Sequence, residues 1–302
     1  MLAPAVLSGH LKVREDEGNS FEGCSVRLTE RSLSLAYSRG SSSSAGSSSL
    51  SLSLPDIIGC HLLDPESVKA AVTKCRCNSN PSERSCYFRV IAYPFKHPAK
   101  VFLNKSARRV RKVLTFAVEK FETERENCDE ACRWVAMVKE LKSERLILSS
   151  TRAKRLLVMV NPASGAGRAA LIFQQHVSPL LTEAGIDVTL FVSSSSGGAR
   201  EYVKSVDLRR HFDGIVIISG DGLIFEVVNG LMSREDGLQA IQTPLGIIPG
   251  GSGNGLAFSI NYAVGFVTGD PLLASQSRVV TLFPLATGSF TREIQCLRLP
   301  SM

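Results

Sequence analysis

Three short runs in the second half of the chain, Leu156–Val160, Gly214–Ile218 and Leu245–Ile248, are apolar at nearly every position, and each breaks off into a glycine-rich loop. A run that is apolar throughout, rather than at every second residue, belongs to a strand covered on both faces. That is the situation of a parallel sheet flanked by helices. Val188–Val192 reads as one further strand, and helical patterns follow over Arg168–Ala184, over Ala199–Val206, through Leu231 and after the last loop. Pro179 is expected to kink or divide the first of these helices, because it has no N–H to donate. Strand, loop and helix recur roughly every 30 residues, the length of a βαβ unit. The expectation is an α/β fold with right-handed crossovers and its functional groups at the carboxyl ends of the strands.

The first half has a different period. Residues 25–37 alternate apolar and polar about Thr29-Glu30-Arg31-Ser32, which predicts a hairpin. A tract with nine serines between Ser41 and Ser53 makes residues 40–53 a low-complexity loop. Leu52–Leu63, Cys86–Tyr93 and Val110–Val118 are strand candidates. Asn127–Ile147 places Ala131, Trp134, Val135, Val138 and Leu141 at helical spacing, with Asp129 and Glu130 near its start. Short strands closed by one amphipathic helix that carries the chain's single Trp resemble a pleckstrin-homology-like module.

At 302 residues the chain has room for about two domains. An apolar fraction of 44% with 21% charged residues excludes wholesale disorder. No stretch approaches the roughly 18 apolar residues of a membrane-spanning helix, and Met1–Ser8 lacks the cationic flank of a secretory signal. The eight cysteines are scattered without paired metal-ligand spacing, which reads as reduced thiols in a cytosolic protein. The net charge of +7 is concentrated in residues 1–150, which hold 23 Lys and Arg against 17 Asp and Glu. Lys105, Arg108, Arg109, Arg111 and Lys112 form its densest stretch, able to draw the chain to an anionic membrane surface. No aromatic-interleaved pattern accompanies it, so nucleic acid is not an expected partner. Nothing in the sequence sets an oligomeric state.

Three loops carry candidate chemistry. Asn161-Pro162-Ala163-Ser164-Gly165-Ala166-Gly167-Arg168 follows the first buried strand, where glycines let backbone N–H groups approach a phosphate. It is not a Walker A loop, because no Gly-Lys-Ser/Thr occurs. Ser219-Gly220-Asp221-Gly222 places one carboxylate on a tight turn at a strand end, with Glu226 within the next helical turn. Pro249-Gly250-Gly251-Ser252-Gly253-Asn254-Gly255 is again donor-rich and opens a helix. It has neither dinucleotide-fingerprint spacing nor a Gly-x-Ser-x-Gly elbow.

Taken in this order at successive strand ends, the three loops resemble the diacylglycerol-kinase-like lipid kinases, the superfamily that includes NAD kinase. LLVMVNPASGAGRA, HVSPLLTEAGIDVTLFV, AREYV, SGDGLIFEVVNGL and PGGSGN resemble the sphingosine kinases within it, over residues 155–262. The resemblance implies ATP and Mg²⁺ as cofactors and the primary hydroxyl of a sphingoid base as acceptor. It further implies a cytoplasmic protein that associates peripherally with membranes. It assigns Asn161, Pro162 and Ala163 to the start of the nucleotide site. Ser193, Ser194, Ser195, Ser196 and Gly197 match a second nucleotide loop in which relatives often carry charged residues. Ser219, Gly220, Asp221 and Gly222 become the phosphate-side turn, with Glu226 near the nucleotide and Gly250, Gly251 and Ser252 completing the cradle. Asp221 matches the acid that takes the proton of the lipid hydroxyl; Asp221→Asn is then expected to slow transfer while leaving ATP affinity little changed. No metal ligand is assigned. Phe225 stands where some relatives have His.

After Tyr262 the pattern of the family is no longer followed, and residues 265–302 read as a divergent tail. The domain organisation expected is a pleckstrin-homology-like module over 1–147, a catalytic ATP-binding domain over 148–264, and that tail. The family continues with a β-rich lipid-holding domain, so the expectation is a C-terminally truncated form of low activity. Another lipid kinase, for ceramide or diacylglycerol, and a non-catalytic regulator that binds membranes or partners through residues 20–147 stand as alternatives.

Overall fold

The computed structural model describes residues 5–15, 20–37, 49–64, 66–68, 84–96, 108–145, 155–263, 279–283 and 295–298. The chain divides into two compact units, Met1–Lys96 with Val110–Thr151, and His97–Arg109 with Arg152–Met302.

The first unit is an antiparallel sheet of seven strands closed by one helix. Its strands are β1 (Leu7–Glu15), β2 (Glu22–Leu28), β3 (Ser32–Tyr37), β4 (Ser49–Ser53), β5 (Ile57–Leu62), β6 (Cys86–Ala92) and β9 (Lys112–Val118), in the order β4-β3-β2-β1-β9-β6-β5. Two short strands, β7 (Phe95–Lys96) and β8 (Arg108–Arg109), are not part of this sheet. The hairpin at residues 25–37 forms as expected, with Leu28 opposite Leu33 and Thr29 accepting from the amides of Arg31 and Ser32. The serine tract is corrected in part. Ser49–Ser53 is a strand whose Leu52 is buried, because Leu50 and Leu52 alternate with serine, and residues 38–48 lie outside the described residues.

Helix α1 (Glu124–Arg145) covers the sheet. Thr123 caps its start in a Thr-x-x-Glu pattern: Thr123 Oγ1 accepts from the Glu126 amide at 3.3 Å and donates to Glu126 Oε2 at 2.7 Å. Trp134 is fully buried, stacked on Phe88, which stacks in turn on Phe116. Its indole N–H donates to Glu130 Oε1 at 3.0 Å, so the ring is buried without an orphaned donor. Antiparallel strands closed by one helix that carries Trp134 are the elements the sequence of this half predicts.

Of the basic stretch, Lys112 is paired with Glu15 at 2.9 Å. The side chains of Lys105, Arg108 and Arg109 lie outside the described residues. Cys24, Cys60, Cys86, Cys128 and Cys132 are free thiols. Among the described residues no helix is long and apolar enough to cross a membrane.

The second unit is an α/β sheet in the order β11-β10-β12-β13-β14-β15, built from β10 (Arg155–Val160), β11 (Asp187–Val192), β12 (Gly214–Ser219), β13 (Leu245–Pro249), β14 (Val279–Phe283) and β15 (Gln295–Arg298). The first four are parallel, and β10, β12 and β13 are buried almost throughout, as their continuous apolar runs require. The expected parallel sheet is corrected at one edge. β14 and β15 join antiparallel, so part of the sequence read as a divergent tail extends the sheet.

Helices α2 (Arg168–Ile172), α3 (Ser178–Glu183), α4 (Gly198–Ser205), α5 (Leu208–His211), α6 (Asp221–Met232), α7 (Gly237–Ala240) and α8 (Gly255–Ala263) connect the strands. Pro179 divides the first crossover as expected: a wider π turn at Phe173–Val177 separates α2 from α3, and Pro179 sits in the first turn of α3. Leu157, Met159, Ile215, Ile217 and Ile247 of the sheet share a core with Val203 of α4, Val227 and Leu231 of α6, and Ile260 of α8. A Cβ on Gly230 would lie 2.8 Å from the Arg200 carbonyl, so α4 and α6 cross where the side chain is absent. This crossing and core hold the N-termini of α4, α6 and α8 at the carboxyl ends of the parallel strands.

Candidate functional site

The three glycine-rich loops leave β10, β12 and β13 at the same edge of the sheet, and their backbones touch. A Cβ on Gly251 would lie 2.4 Å from Gly220 Cα and 2.6 Å from Gly220 N; one on Gly220 would lie 2.6 Å from the Gly253 carbonyl. Gly165, at φ +60°, would drive a Cβ to 2.4 Å from the Gly250 carbonyl. The glycines expected to admit a phosphate therefore first admit one another's main chains. Gly222 differs: its Cβ position has nothing within 4 Å, so it borders open space at the first turn of α6.

Around this contact lies a cleft of about 750 Å³, within the range of small-molecule sites. Asn161, Pro162 and Ala163 line it from the first loop, together with Ser164 and Gly165, which sequence reasoning did not assign. The loop is shaped by Asn161, whose Oδ1 accepts from the Ala163 amide at 3.0 Å and whose carbonyl accepts from Ser164. Ala166, between Gly165 and Gly167, also holds a positive φ of 56°, a strained conformation for a residue with a side chain. Ser164 and Ser219 hydroxyls meet at 2.6 Å and join the first loop to the second; Ser219 is almost fully buried.

Ser193, Ser194, Ser195 and Ser196 line a second wall after β11, anchored by the Ser193 amide on the Val160 carbonyl. Gly197 does not line the cleft; with φ +81° it is the N-cap of α4. From the third loop Gly251, Ser252 and Gly253 reach the cleft, whereas Gly250 lies behind it, its amide bonded to the Ser219 carbonyl and its Cβ position 3.1 Å from Ala169. Gly197 and Gly250, both assigned from sequence, shape the loops without lining the cleft. Asn254, unassigned from sequence, closes the third loop by accepting from the Gly251 amide at 3.0 Å and donating to its carbonyl at 2.9 Å.

Ser219, Gly220, Asp221, Gly222, Leu223 and Glu226 form the floor. Gly220 is extended and caps α6, so Asp221 occupies the first helical position rather than a tight turn. Its carboxylate is engaged: Oδ2 accepts from the Gly255 amide at 2.8 Å and Oδ1 from the Leu256 amide at 3.1 Å. Each oxygen keeps a further lone pair. Glu226, one turn on, is half-buried, and its Oε2 is buried with no hydrogen-bond partner. Such an orphaned acceptor is costly unless a ligand donor completes it. Phe225 does not line the cleft and is 70% exposed.

These features fit a nucleotide: glycine-rich loops with free N–H groups, hydroxyls from seven serines, and an unpaired acceptor. They also fit Mg²⁺ held mainly by phosphate oxygens, since the lining contains two carboxylates, Asp221 and Glu226. Among the described residues no cluster of three or more His, Cys, Asp or Glu forms a metal site by itself.

Residues 155–282 match the diacylglycerol kinase catalytic domain, past the point at Tyr262 where the resemblance was expected to end. The chain is 49% identical to human sphingosine kinase 1 over 126 residues, 41% of this chain and 33% of that protein. It is 37% identical to human sphingosine kinase 2 over 195 residues, 62% of this chain and 28% of that protein. The chain thus spans about a third of the length of the curated relatives it matches. A crystal structure of a diacylglycerol kinase from Bacillus anthracis aligns with a TM-score of 0.30 and 30% identity, covering 37% of this chain and 38% of that one. Residues 155–282 thus match the diacylglycerol kinase catalytic domain, and the curated relatives they resemble are sphingosine kinases.

Proposed function

We propose that the cleft binds Mg-ATP and that the protein is an ATP-dependent lipid kinase acting on the primary hydroxyl of a sphingoid base. The observation that carries this reading is the closure of three loops, backbone on backbone, around a cleft whose floor presents Asp221 beside the open space at Gly222. Phosphoryl transfer asks a protein for positioning and charge neutralisation more than for covalent chemistry. The amides of the first and third loops offer fixed dipoles to the phosphates, and the serine wall offers hydroxyls. Glu226 Oε2 accepts a donor of the nucleotide and loses its orphan status. Asp221 accepts the hydroxyl of the lipid on a lone pair its two amide bonds leave free, and takes the proton as attack proceeds. Mg²⁺, when bound, neutralises charge on the triphosphate. The sphingoid acceptor is supported by similarity to sphingosine kinases over the matched region.

The test pairs binding with transfer. Calorimetry should show one Mg-ATP site per chain. With radiolabelled ATP and equal concentrations of sphingosine, ceramide and diacylglycerol, label should appear on sphingosine. Absence of ATP binding to the folded chain would overturn the nucleotide assignment, and label on diacylglycerol or ceramide instead would overturn the acceptor.

A further inference from the structure

Asp221 is tied at three points to residues more than thirty positions further along the chain. Its amide donates to the Gly253 carbonyl at 3.3 Å, and its two carboxylate oxygens take the first two amides of α8, at Gly255 and Leu256. The Cβ positions of Gly253 and Gly255 lie 3.7 and 3.4 Å from Asp221 Oδ2, so the carboxylate sits directly on that loop. Asn254, by contrast, spends both of its side-chain bonds inside its own loop, on Gly251. The start of α8 is thus held to the start of α6 through this one side chain, and Gly251–Gly253, which line the cleft, are strung between them.

We propose that Asp221 is the positioning residue of the third loop as well as a proton acceptor, so that nucleotide affinity and hydroxyl activation depend on the same carboxylate. This rests on the nucleotide reading of the cleft. Its consequence differs from the expectation from sequence that Asp221→Asn leaves ATP affinity little changed. Asparagine has the shape of aspartate but only one acceptor oxygen. Its NH₂ would face the Gly255 or the Leu256 amide, donor against donor, at about 3 Å. Charge-assisted bonds to two helix amides would become one neutral bond and one repulsion.

Two variants separate this role from proton transfer. Asp221→Asn removes both functions. Gly255→Pro removes one of the two donors and leaves the carboxylate. Proline is favoured at the first position of a helix, and Gly255 has no positive φ to forbid it. In calorimetry on the full chain, both variants should raise Kd for Mg-ATP at least about tenfold, equivalent to about 1.4 kcal/mol. In transfer assays both should raise KM for ATP, and only Asp221→Asn should lose kcat. Without any nucleotide, the Leu256 amide should exchange its hydrogen at least tenfold faster in Asp221→Asn than in the wild type. If the wild type binds Mg-ATP and both variants bind it within twofold, the positioning role is wrong. Equal exchange at Leu256 would overturn it as well. Failure of the wild type to bind ATP would instead strike the nucleotide reading, and the exchange comparison would still decide the role of Asp221.

Discussion

Gly251→Ala adds one methyl group at the tightest crossing of the three loops. The new Cβ would stand 2.4 Å from Gly220 Cα, 2.6 Å from Gly220 N and 3.1 Å from the Gly253 carbonyl oxygen. Non-bonded carbons settle at about 3.5–4.0 Å, so the shortfall exceeds about 1 Å. The obstructing atoms are backbone and cannot rotate away, so one loop must move. Overpacking of this kind costs about 1–3 kcal/mol. For a unit of about 150 residues each kcal/mol lowers Tm by roughly 2–4 °C, giving a fall of roughly 2–12 °C. A displacement of about 1 Å in a site can also cost on the order of 10²-fold in activity. The assay is thermal unfolding by circular dichroism, beside Trp134 fluorescence, which reports the other unit and should not shift, together with an Mg-ATP titration. Gly222→Ala is the control. Its Cβ meets nothing within 4 Å, so Tm should hold or rise while Kd for ATP increases, because the phosphates need that space. A Gly251→Ala protein that melts with the wild type and binds ATP within twofold would refute the backbone-contact argument.

Asn254→Ala should cost about 1–3 kcal/mol, since it strips a buried amide and carbonyl of Gly251 of their partner; thermal unfolding and ATP affinity should fall together. In the first unit, burial raises the pKa of Glu15, but the bonds from Lys112 and Tyr37 outweigh it and leave the carboxyl below its usual value. The stabilisation this contributes is complete above about pH 4.3 and is lost as pH falls through the lower folded-state pKa. Glu15→Gln should flatten that acid limb of a denaturation series, by well under about 1 kcal/mol at so exposed a pair. Burial pushes the Cys24 thiol to about 11 and the Cys60 and Cys86 thiols to about 12, whereas Cys132 is exposed. Alkylation of the native protein followed by mass spectrometry should label Cys132 well before these three, which should react only on unfolding.

The strands of the second unit were legible because burial on both faces leaves apolar residues at every position, and Leu156–Val160 and Leu245–Ile248 differ from β10 and β13 by a residue at one end. Signals that compete with composition were harder to see. Leu50 and Leu52 alternate with serine as a strand should, yet the serine tract around them reads as loop. The start of α1 is marked by Thr123-x-x-Glu126, a capping pattern that the apolar spacing from Asn127 onwards conceals. Near the end of the chain, Val279–Phe283 is apolar enough for a strand, but no glycine loop or helix follows to give it a place in the βαβ series. In the site, residue types were readable and partners were not. Nothing local tells Asp221 that Gly255 and Leu256 lie against it, or Ser164 that Ser219 does. These pairings depend on how the crossovers return their helices to the same sheet edge. The glycines were understood as openings for phosphate, but the close approach at Gly165, Gly220 and Gly251 is between the loops themselves.

The central claim is that one cleft, built by the ends of β10, β11, β12 and β13, holds the nucleotide. Hydrogen exchange of the full chain with and without saturating Mg-ATP reads this directly, amide by amide. Nucleotide held in this cleft should slow exchange in peptides covering residues 161–168, 193–197, 219–226 and 250–256 and leave the seven-stranded sheet of the first unit unchanged. Protection that falls elsewhere and leaves those four segments untouched would contradict it.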